Sequence, residues 1–158
     1  MKPLAEMLGR RLKRAKAMLV TAESCTGGWA AQVVTSVPGS SDWFERGFVT
    51  YSNAAKRELL GVRKSTLQKH GAVSEQTARE MALGALARSR GTVALAITGV
   101  AGPAGGSAAK PVGTVCFSWA FKKRISSETC RYAGSRQAVR RKSVEHALKG
   151  VLEALDAG

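Results

Sequence analysis

The sequence predicts an α/β domain with three layers (α/β/α), in which helices cover both faces of a mixed, mainly parallel sheet. Segments with helical and strand-like patterns alternate along the chain, as they do in layered α/β proteins. The segment 93–100 is the most apolar and is expected to be a central strand. A chain of 158 residues without internal repeats or a linker predicts a single domain over residues 1–158.

The first part of the chain carries clear helix, strand and turn signals. Leu4, Leu8 and Leu12 fall on one helical stripe. Ser52 or Asn53 can cap a helix that Gly61 terminates. The predicted elements are a helix over 3–16, a strand over 17–22, a helix over 27–35, a loop over 37–41, a strand over 48–51 and a helix over 54–60.

The second part continues this alternation and ends in a long helix. Ser74 is expected to cap one helix, and Gly134-Ser135 to open the last one. Two β-rich segments joined by 122–124 predict an antiparallel hairpin. The predicted elements are a helical turn over 65–69, a helix over 75–89, a strand over 93–100, a glycine-rich loop over 99–106, strands over 113–121 and 125–133, and the last helix.

The segment 21–28, Thr-Ala-Glu-Ser-Cys-Thr-Gly-Gly, lies between the first predicted strand and the next helix. The first amides of a helix lack partners and carry the positive end of its dipole, which favours an anion site. A hydroxyl at Ser24 and a thiol at Cys25 at such a turn indicate nucleophilic chemistry. A simple capping turn, with Ser24 or Thr26 as the N-cap, accounts for the same residues.

Two further loops follow predicted strands. Lys56 lies about one turn inside a helix, and burial there would lower its pKa so that it could act as a base. A solvated surface lysine fits the same pattern. The loop 99–106 resembles a phosphate cradle only in its glycine content. Because ligands of open α/β sheets bind at the carboxyl ends of strands, we expect the three loops to converge.

Charge and cysteine content limit the class of protein. The formal net charge is +14, and the excess lies in 1–16 and 122–149. Such a surface fits a nucleic acid, an anionic small substrate or a merely solvated face. The three cysteines have no metal-ligand spacing, so no metal is expected, and they favour the cytoplasm. No apolar run approaches the ~20 residues of a membrane helix.

Seven ordered segments together resemble the CinA C-terminal domain family, which includes stand-alone nicotinamide-nucleotide amidases. The resemblance covers nearly the whole chain. The segments are 22–28 (AESCTGG), 37–41 (VPGSS), 49–56 (VTYSNAAK), 60–62 (LGV), 70–75 (HGAVSE), 98–103 (TGVAGP) and 110–115 (KPVGTV).

The resemblance implies that the carboxamide of nicotinamide mononucleotide is hydrolysed to nicotinate mononucleotide and ammonia. It further implies a Ser–Lys pair, with Ser24 as nucleophile and Lys56 as base, and no cofactor. The amides of the turn 26–28 are expected to stabilise the oxyanion. It also implies a homodimer or higher homo-oligomer. A non-catalytic domain that binds a nucleotide or a nucleic acid is the alternative, favoured by the basic surface.

Other side chains are expected to bind the substrate or to shape its site. Arg136 and Arg140, one turn apart on the last helix, are expected to hold the phosphate. Glu23 could orient Lys56, orient Tyr51 or cap the helix. Ser135 stands where family members often have an acidic residue. The expected substrate-binding residues are Thr26, Gly27, Gly28, Ser41, Tyr51, Asn53, Thr98, Gly99, Gly102, Arg136 and Arg140.

Overall fold

The computed structural model describes all residues, Met1–Gly158, as six α-helices around a five-stranded sheet. A single 3-10 turn, Ser40–Asp42, precedes the second strand. The elements in order are α1 (Lys2–Arg14), β1 (Leu19–Glu23), α2 (Trp29–Thr35), β2 (Phe44–Val49), α3 (Asn53–Leu60), α4 (Lys64–His70), α5 (Glu75–Ala87), β3 (Val93–Gly99), β4 (Thr114–Phe121), β5 (Ile125–Arg131) and α6 (Arg136–Ala157).

The sheet has the strand order β2-β1-β3-β4-β5. β1 pairs in parallel with β2 and β3, whereas β4 is antiparallel to both of its neighbours. Four of the five strands therefore run in the same direction. Glu23, at the end of β1, is in register with Val49 of β2 and Ile97 of β3. The loops after these three strands consequently start from one edge of the sheet.

Alternating strand residues divide the core into two layers. On one face, Leu19, Leu95 and Phe117 pack with α1, α2 and α6. On the other face, Val20 and Ala94 pack with apolar residues of α3 and α5. This arrangement confirms the predicted three layers with helices on both faces.

Close contact between α3 and α5 depends on one glycine. A Cβ at Gly84 of α5 would lie 1.9 Å from the carbonyl oxygen of Leu60, at the end of α3. No other residue can occupy this position without moving one helix away from the other. The small residue therefore fixes how deeply α3, which carries Lys56, sits against the domain.

The predicted order and type of elements are confirmed, and the differences lie at their ends. Strand β2 starts at Phe44, four residues before the predicted start at position 48. Its early part was missed because β2 is an edge strand whose polar Glu45-Arg46-Gly47 lacks an apolar alternation. The predicted antiparallel hairpin is confirmed as β4 and β5. None of the helices combines the length and the apolar character needed to cross a membrane.

Candidate active site

The turn after β1 is held by Glu23, the last residue of the strand. Its carboxylate is buried and accepts hydrogen bonds from the amides of Ala30 at 2.8 Å and Ala31 at 3.1 Å, and from the hydroxyl of Thr26 at 2.6 Å. Glu23 therefore satisfies amides at the start of α2. The expectation of a free anion site at these helix amides is wrong, because a carboxylate of the chain already occupies it. Gly28 is the N-cap residue, so neither Ser24 nor Thr26 has that role.

Lys56 reaches Ser24 from the first turn of α3, the helix that follows the loop after β2. The hydroxyl of Ser52 accepts from the amide of Ala55 and starts α3, which places Lys56 one turn inside the helix. Its side chain is buried, and Nζ lies 2.9 Å from Ser24 Oγ. Nζ also contacts the carbonyl oxygens of Thr50 at 3.0 Å and Tyr51 at 3.1 Å.

The surroundings of Lys56 disfavour its charged form. Burial lowers the pKa of the Lys56 amine below its ordinary value. No carboxylate forms an ion pair with it. An amine with a lowered pKa, hydrogen-bonded to a serine hydroxyl, can accept the proton of that hydroxyl.

Cys25 lies beside Ser24 but in a different electrostatic state. Burial raises the pKa of the Cys25 thiol to about 11. The thiol is therefore protonated at neutral pH, and the thiolate is the nucleophilic form of cysteine. Of the two adjacent side chains, Ser24 has the base and Cys25 does not.

Only some backbone amides of the turn already donate a hydrogen bond within the protein. The amide of Gly27 donates to the carbonyl oxygen of Ser24, and that of Trp29 donates to Thr26. The amides of Cys25 and Thr26 donate to no acceptor in the protein. Of the expected oxyanion donors, the amide of Gly27 is thus already used, whereas those of Thr26 and Gly28 are free. The amide of Cys25, which was not among the expected donors, is free as well.

A cleft of about 320 Å³ opens above Ser24 and Lys56 at the carboxyl edge of the sheet. This volume is at the lower end of the range for small-molecule sites, roughly 300–1,000 Å³. Arg136 lines the cleft and donates to the carbonyl oxygen of Gly102 at 2.8 Å and to the hydroxyl of Tyr51 at 3.3 Å. The expected site residues that line it are Ser24, Tyr51, Lys56, Thr98, Gly99, Gly102 and Arg136.

Some expected substrate-binding residues do not line the cleft. Thr26, Gly27 and Gly28 form the turn that supports Ser24. Arg140, which was expected to hold the phosphate, donates to the carbonyl oxygens of Cys25 and Thr26 instead.

Two other expected residues lie outside the cleft altogether. Asn53 is exposed at the first position of α3. Ser41 belongs to the 3-10 turn before β2, which is at the opposite, amino end of the parallel strands. The expectation for Ser41 is therefore wrong, because its loop enters the sheet at the end opposite to the one where the other loops leave it.

Two walls of the cleft consist of residues that were not predicted from the sequence to belong to the site. Ala72 and Val73, between α4 and α5, line it, and the carbonyl oxygen of Ala72 accepts from Thr98 Oγ1 at 2.8 Å. Small apolar residues of the loop after β3 form another wall: Val100, Ala101, Ala104 and Gly105. Such side chains carry no chemical signature, and only the motif 70–75 could have pointed to the first wall.

The fold and the site define an α/β protein with a buried serine–lysine pair at the carboxyl edge of a mixed sheet. The family described as the CinA C-terminal domain matches residues 1–155, and this chain belongs to that family. The nicotinamide-nucleotide amidohydrolase PncC of Escherichia coli (strain K12) is 53% identical over 148 residues, which cover 92% of this chain and 89% of that protein. The protein with the same description from Pseudomonas putida is 51% identical over 150 residues, covering 95% and 94%.

Solved structures of similar proteins have the same fold. The competence/damage inducible protein CihA of Agrobacterium tumefaciens superposes with a TM-score of 0.94 at 46% identity, over 98% of this chain and 94% of that one. A CinA superfamily protein of Klebsiella pneumoniae gives a TM-score of 0.96 at 38% identity, over 99% and 98%.

Proposed function

We propose that this protein hydrolyses the carboxamide of nicotinamide mononucleotide to nicotinate mononucleotide and ammonia, with Ser24 as nucleophile and Lys56 as general base. The observation that carries the proposal is the 2.9 Å contact between the buried Lys56 amine and the Ser24 hydroxyl in the cleft. The substrate is inferred from the relatives described as nicotinamide-nucleotide amidohydrolases, two of which are 51% and 53% identical to this chain.

The contacts of Lys56 suit a neutral amine that accepts a proton. A neutral amine has two N–H donors and one lone pair. The carbonyl oxygens of Thr50 and Tyr51 can only accept, so they take the two N–H groups. The lone pair of the neutral amine then faces the third neighbour, Ser24 Oγ at 2.9 Å, and can accept the proton of its hydroxyl.

The reaction then proceeds in two halves. Ser24 Oγ attacks the carboxamide carbon as its proton passes to Lys56, and the amides of Cys25 and Thr26 stabilise the oxyanion. Lys56 returns the proton to the leaving nitrogen, the C–N bond breaks and ammonia departs. Water attacks the resulting ester, giving one proton to Lys56, and that proton returns to Ser24 Oγ as the acid leaves. No metal or cofactor enters this scheme.

Arg136 and Tyr51 are the groups that we assign to the nucleotide part of the substrate. The Arg136 guanidinium donates to two neighbours in the cleft wall, and its other N–H groups are available for the substrate phosphate. Tyr51 is 62% exposed at the mouth, where its ring can cover a ribose or a pyridine. We assign Arg140 no part in this binding, because it does not line the cleft and its guanidinium holds the turn.

Ammonia release from nicotinamide mononucleotide tests the proposal directly. The parent protein should release one ammonia for each nicotinate mononucleotide formed. Ser24→Ala should lose at least about a thousandfold in kcat, whereas Cys25→Ala should keep a large share of the activity. A folded Ser24→Ala protein with near-parent turnover would contradict the assignment of the nucleophile.

The alternative function is non-catalytic binding of a nucleotide or nucleic acid, which the net charge of +14 favours. Salt-sensitive DNA binding without any turnover would support it over the amidase. We also propose a homodimer or higher homo-oligomer, which light scattering measures. We propose a cytoplasmic location, which the three free cysteines favour.

A further inference from the structure

Three side chains of different chemistry converge on the outer part of the sheet, away from the cleft. Glu128 and Cys130 are two residues apart on β5 and point to the same face, and His146 of α6 packs against that face. Glu128 Oε1, Cys130 Sγ and His146 Nε2 all lie within 4.8 Å of one another. The contacts are 3.0 Å from sulfur to oxygen, 3.6 Å from sulfur to nitrogen and 2.6 Å from nitrogen to oxygen.

This arrangement is not a nucleophilic triad. In a triad, the carboxylate holds one ring nitrogen and the nucleophile meets the other. Here both Glu128 and Cys130 meet the same atom, Nε2 of His146. The three donor atoms therefore surround one point in space, which is the arrangement of a ligand set.

We propose that Glu128, Cys130 and His146 bind a divalent transition metal ion of the Zn²⁺ type. Thiolate, imidazole and carboxylate are the ligands that zinc takes in proteins. Bond lengths of about 2.3 Å to sulfur and 2.0 Å to nitrogen, at a tetrahedral angle, put these two ligands roughly 3.5 Å apart. Cys130 and His146 already have this separation, at 3.6 Å.

The carboxylate is the ligand that must move. Tetrahedral binding requires Glu128 Oε1 to withdraw from its two neighbours by roughly half to three quarters of an ångström. Glu128 can do so, because its side chain is 49% exposed on β5, which is an edge strand. Cys130 is on the same strand, but its side chain packs against the core, and His146 lies on α6, which the core holds in place.

Aromatic side chains fix the imidazole ring of His146. Its ring centroid lies 4.7 Å from that of Phe117, 5.8 Å from Trp119 and 6.4 Å from Tyr132. The buried hydroxyl of Tyr132 lies beside the thiol of Cys130. Groups that hold the ligands in place in this way strengthen metal binding.

The metal ion would join the edge strand β5 to the last helix. His146 lies ten residues beyond Arg136 on α6, which is about 15 Å along the helix. The ion would therefore stabilise the fold and take no part in the reaction at Ser24. This inference does not depend on the proposed function.

Titration of the metal-free protein with Co²⁺ alone tests the site. One Co²⁺ should bind per chain, with a thiolate charge-transfer band in the near ultraviolet, and Zn²⁺ should displace it. At free Zn²⁺ about 100 times Kd, Tm should rise by about 5–10 °C. Cys130→Ser should abolish the band and the shift, and Glu128→Gln should weaken Co²⁺ binding at least about tenfold.

Cys116→Ser is the matched control. Cys116 lies on the neighbouring strand β4 but contacts Thr129, on the opposite face of the sheet from Cys130. This variant should keep the band, the stoichiometry and the shift in Tm. Absence of the band in the parent, or its survival in a folded Cys130→Ser protein, would overturn the proposal. Hydrolysis of nicotinamide mononucleotide by Cys130→Ser should equal that of the parent.

Discussion

Arg140 Nε donates a hydrogen bond to the carbonyl oxygen of Cys25 at 3.0 Å, across 115 residues of chain. A second nitrogen of the same guanidinium donates to the carbonyl oxygen of Thr26 at 3.2 Å. The last helix thereby holds the turn that carries Ser24. Because the carbonyl of Cys25 shares a peptide unit with the amide of Thr26, its position also sets the direction of one of the proposed oxyanion donors.

Replacing Arg140 should therefore reduce the rate of the chemical step more than it weakens substrate binding. We expect Arg140→Ala to lower kcat for nicotinamide mononucleotide by about 10- to 100-fold, because small displacements of a nucleophile are costly. The change in KM should stay within about threefold. Steady-state kinetics over a wide substrate range measures both values.

Arg141→Ala is the control for charge on the same helix. Arg141 is exposed and contributes the same positive charge to the surface. Its removal should leave kcat within about twofold. A rise in KM with unchanged kcat in Arg140→Ala would instead return Arg140 to a role in phosphate binding.

Replacing Arg136 should change KM more than kcat, which is the opposite of the effect expected for Arg140. Arg136→Ala removes a guanidinium from the cleft wall, so KM for nicotinamide mononucleotide should rise by about tenfold or more. Turnover at saturating substrate should fall much less, since Arg136 contacts neither Ser24 nor Lys56. The same kinetic measurements as for Arg140 separate the two arginines.

Nicotinamide riboside, which lacks the phosphate, provides the matched substrate for this test. The parent protein should use it poorly, and Arg136→Ala should lower its use no further. If riboside and nucleotide are hydrolysed with equal efficiency by the parent, Arg136 does not bind the phosphate.

Local signals explain what the sequence predicted well. The hydroxyls of Ser52, Ser74 and Ser135 each accept from the amide three residues later and start a helix. Such caps depend on a few neighbouring residues, so the order of elements could be inferred without the structure. That order brings the loops of Ser24 and Lys56 to one edge of the sheet.

Contacts between distant segments explain what could not be predicted. The spacing of Arg136 and Arg140 puts both on one side of α6, but only the packing of α6 on the Ser24 turn separates their roles. Ser41 belongs to a matching motif, yet its loop lies at the other end of β2. Glu128 and Cys130 meet His146 only after β5 and α6 pack together, so their spacing shows no metal pattern.

Glu23 offers a test of how the nucleophile turn is stabilised. Its buried carboxylate accepts three hydrogen bonds, from the hydroxyl of Thr26 and the amides of Ala30 and Ala31. Glu23→Gln replaces one acceptor oxygen by an N–H group that faces a helix amide. We expect the free energy of unfolding to fall by about 2–3 kcal/mol.

Chemical denaturation at neutral pH measures this change, and Glu153→Ala is its control. Glu153 is exposed on α6 and accepts no hydrogen bond from a side chain, so its removal should change stability by less than about 0.5 kcal/mol. A Glu23→Gln protein as stable as the parent would mean that the turn does not depend on this carboxylate.

The protonation state of Lys56 should make the rate of hydrolysis depend on pH. Burial lowers the pKa of its amine from the value of about 10.4 that it has in an unfolded chain. The base must be neutral, so kcat/KM should rise with pH through the lowered pKa and then level off. Lys56→Arg should be nearly inactive at every working pH, because a guanidinium keeps its proton. Lys56→Met should be inactive but folded by circular dichroism.

The pH dependence of the free energy of unfolding should report on the same amine without a measurement of activity. Between the lowered pKa of the folded protein and about 10.4, the unfolded chain binds one more proton at Lys56. The free energy of unfolding contributed by this group therefore decreases as pH falls through that window, and stays constant below the lowered pKa. Lys56→Met should remove this dependence, although it also leaves the carbonyls of Thr50 and Tyr51 without their donor. Denaturation of both proteins across the pH range measures the difference in slope.

Lys69→Met is the control for loss of a lysine without loss of the buried amine. Lys69 is exposed on α4, so its removal should leave both the rate profile and the slope of stability with pH unchanged. An active Lys56→Arg protein would make Lys56 a positioning cation and move the base elsewhere. If Lys56→Met kept the parent's slope of stability with pH, the pKa of the Lys56 amine would be the same in the folded and unfolded states. Burial would then not be the reason that Lys56 can act as a base.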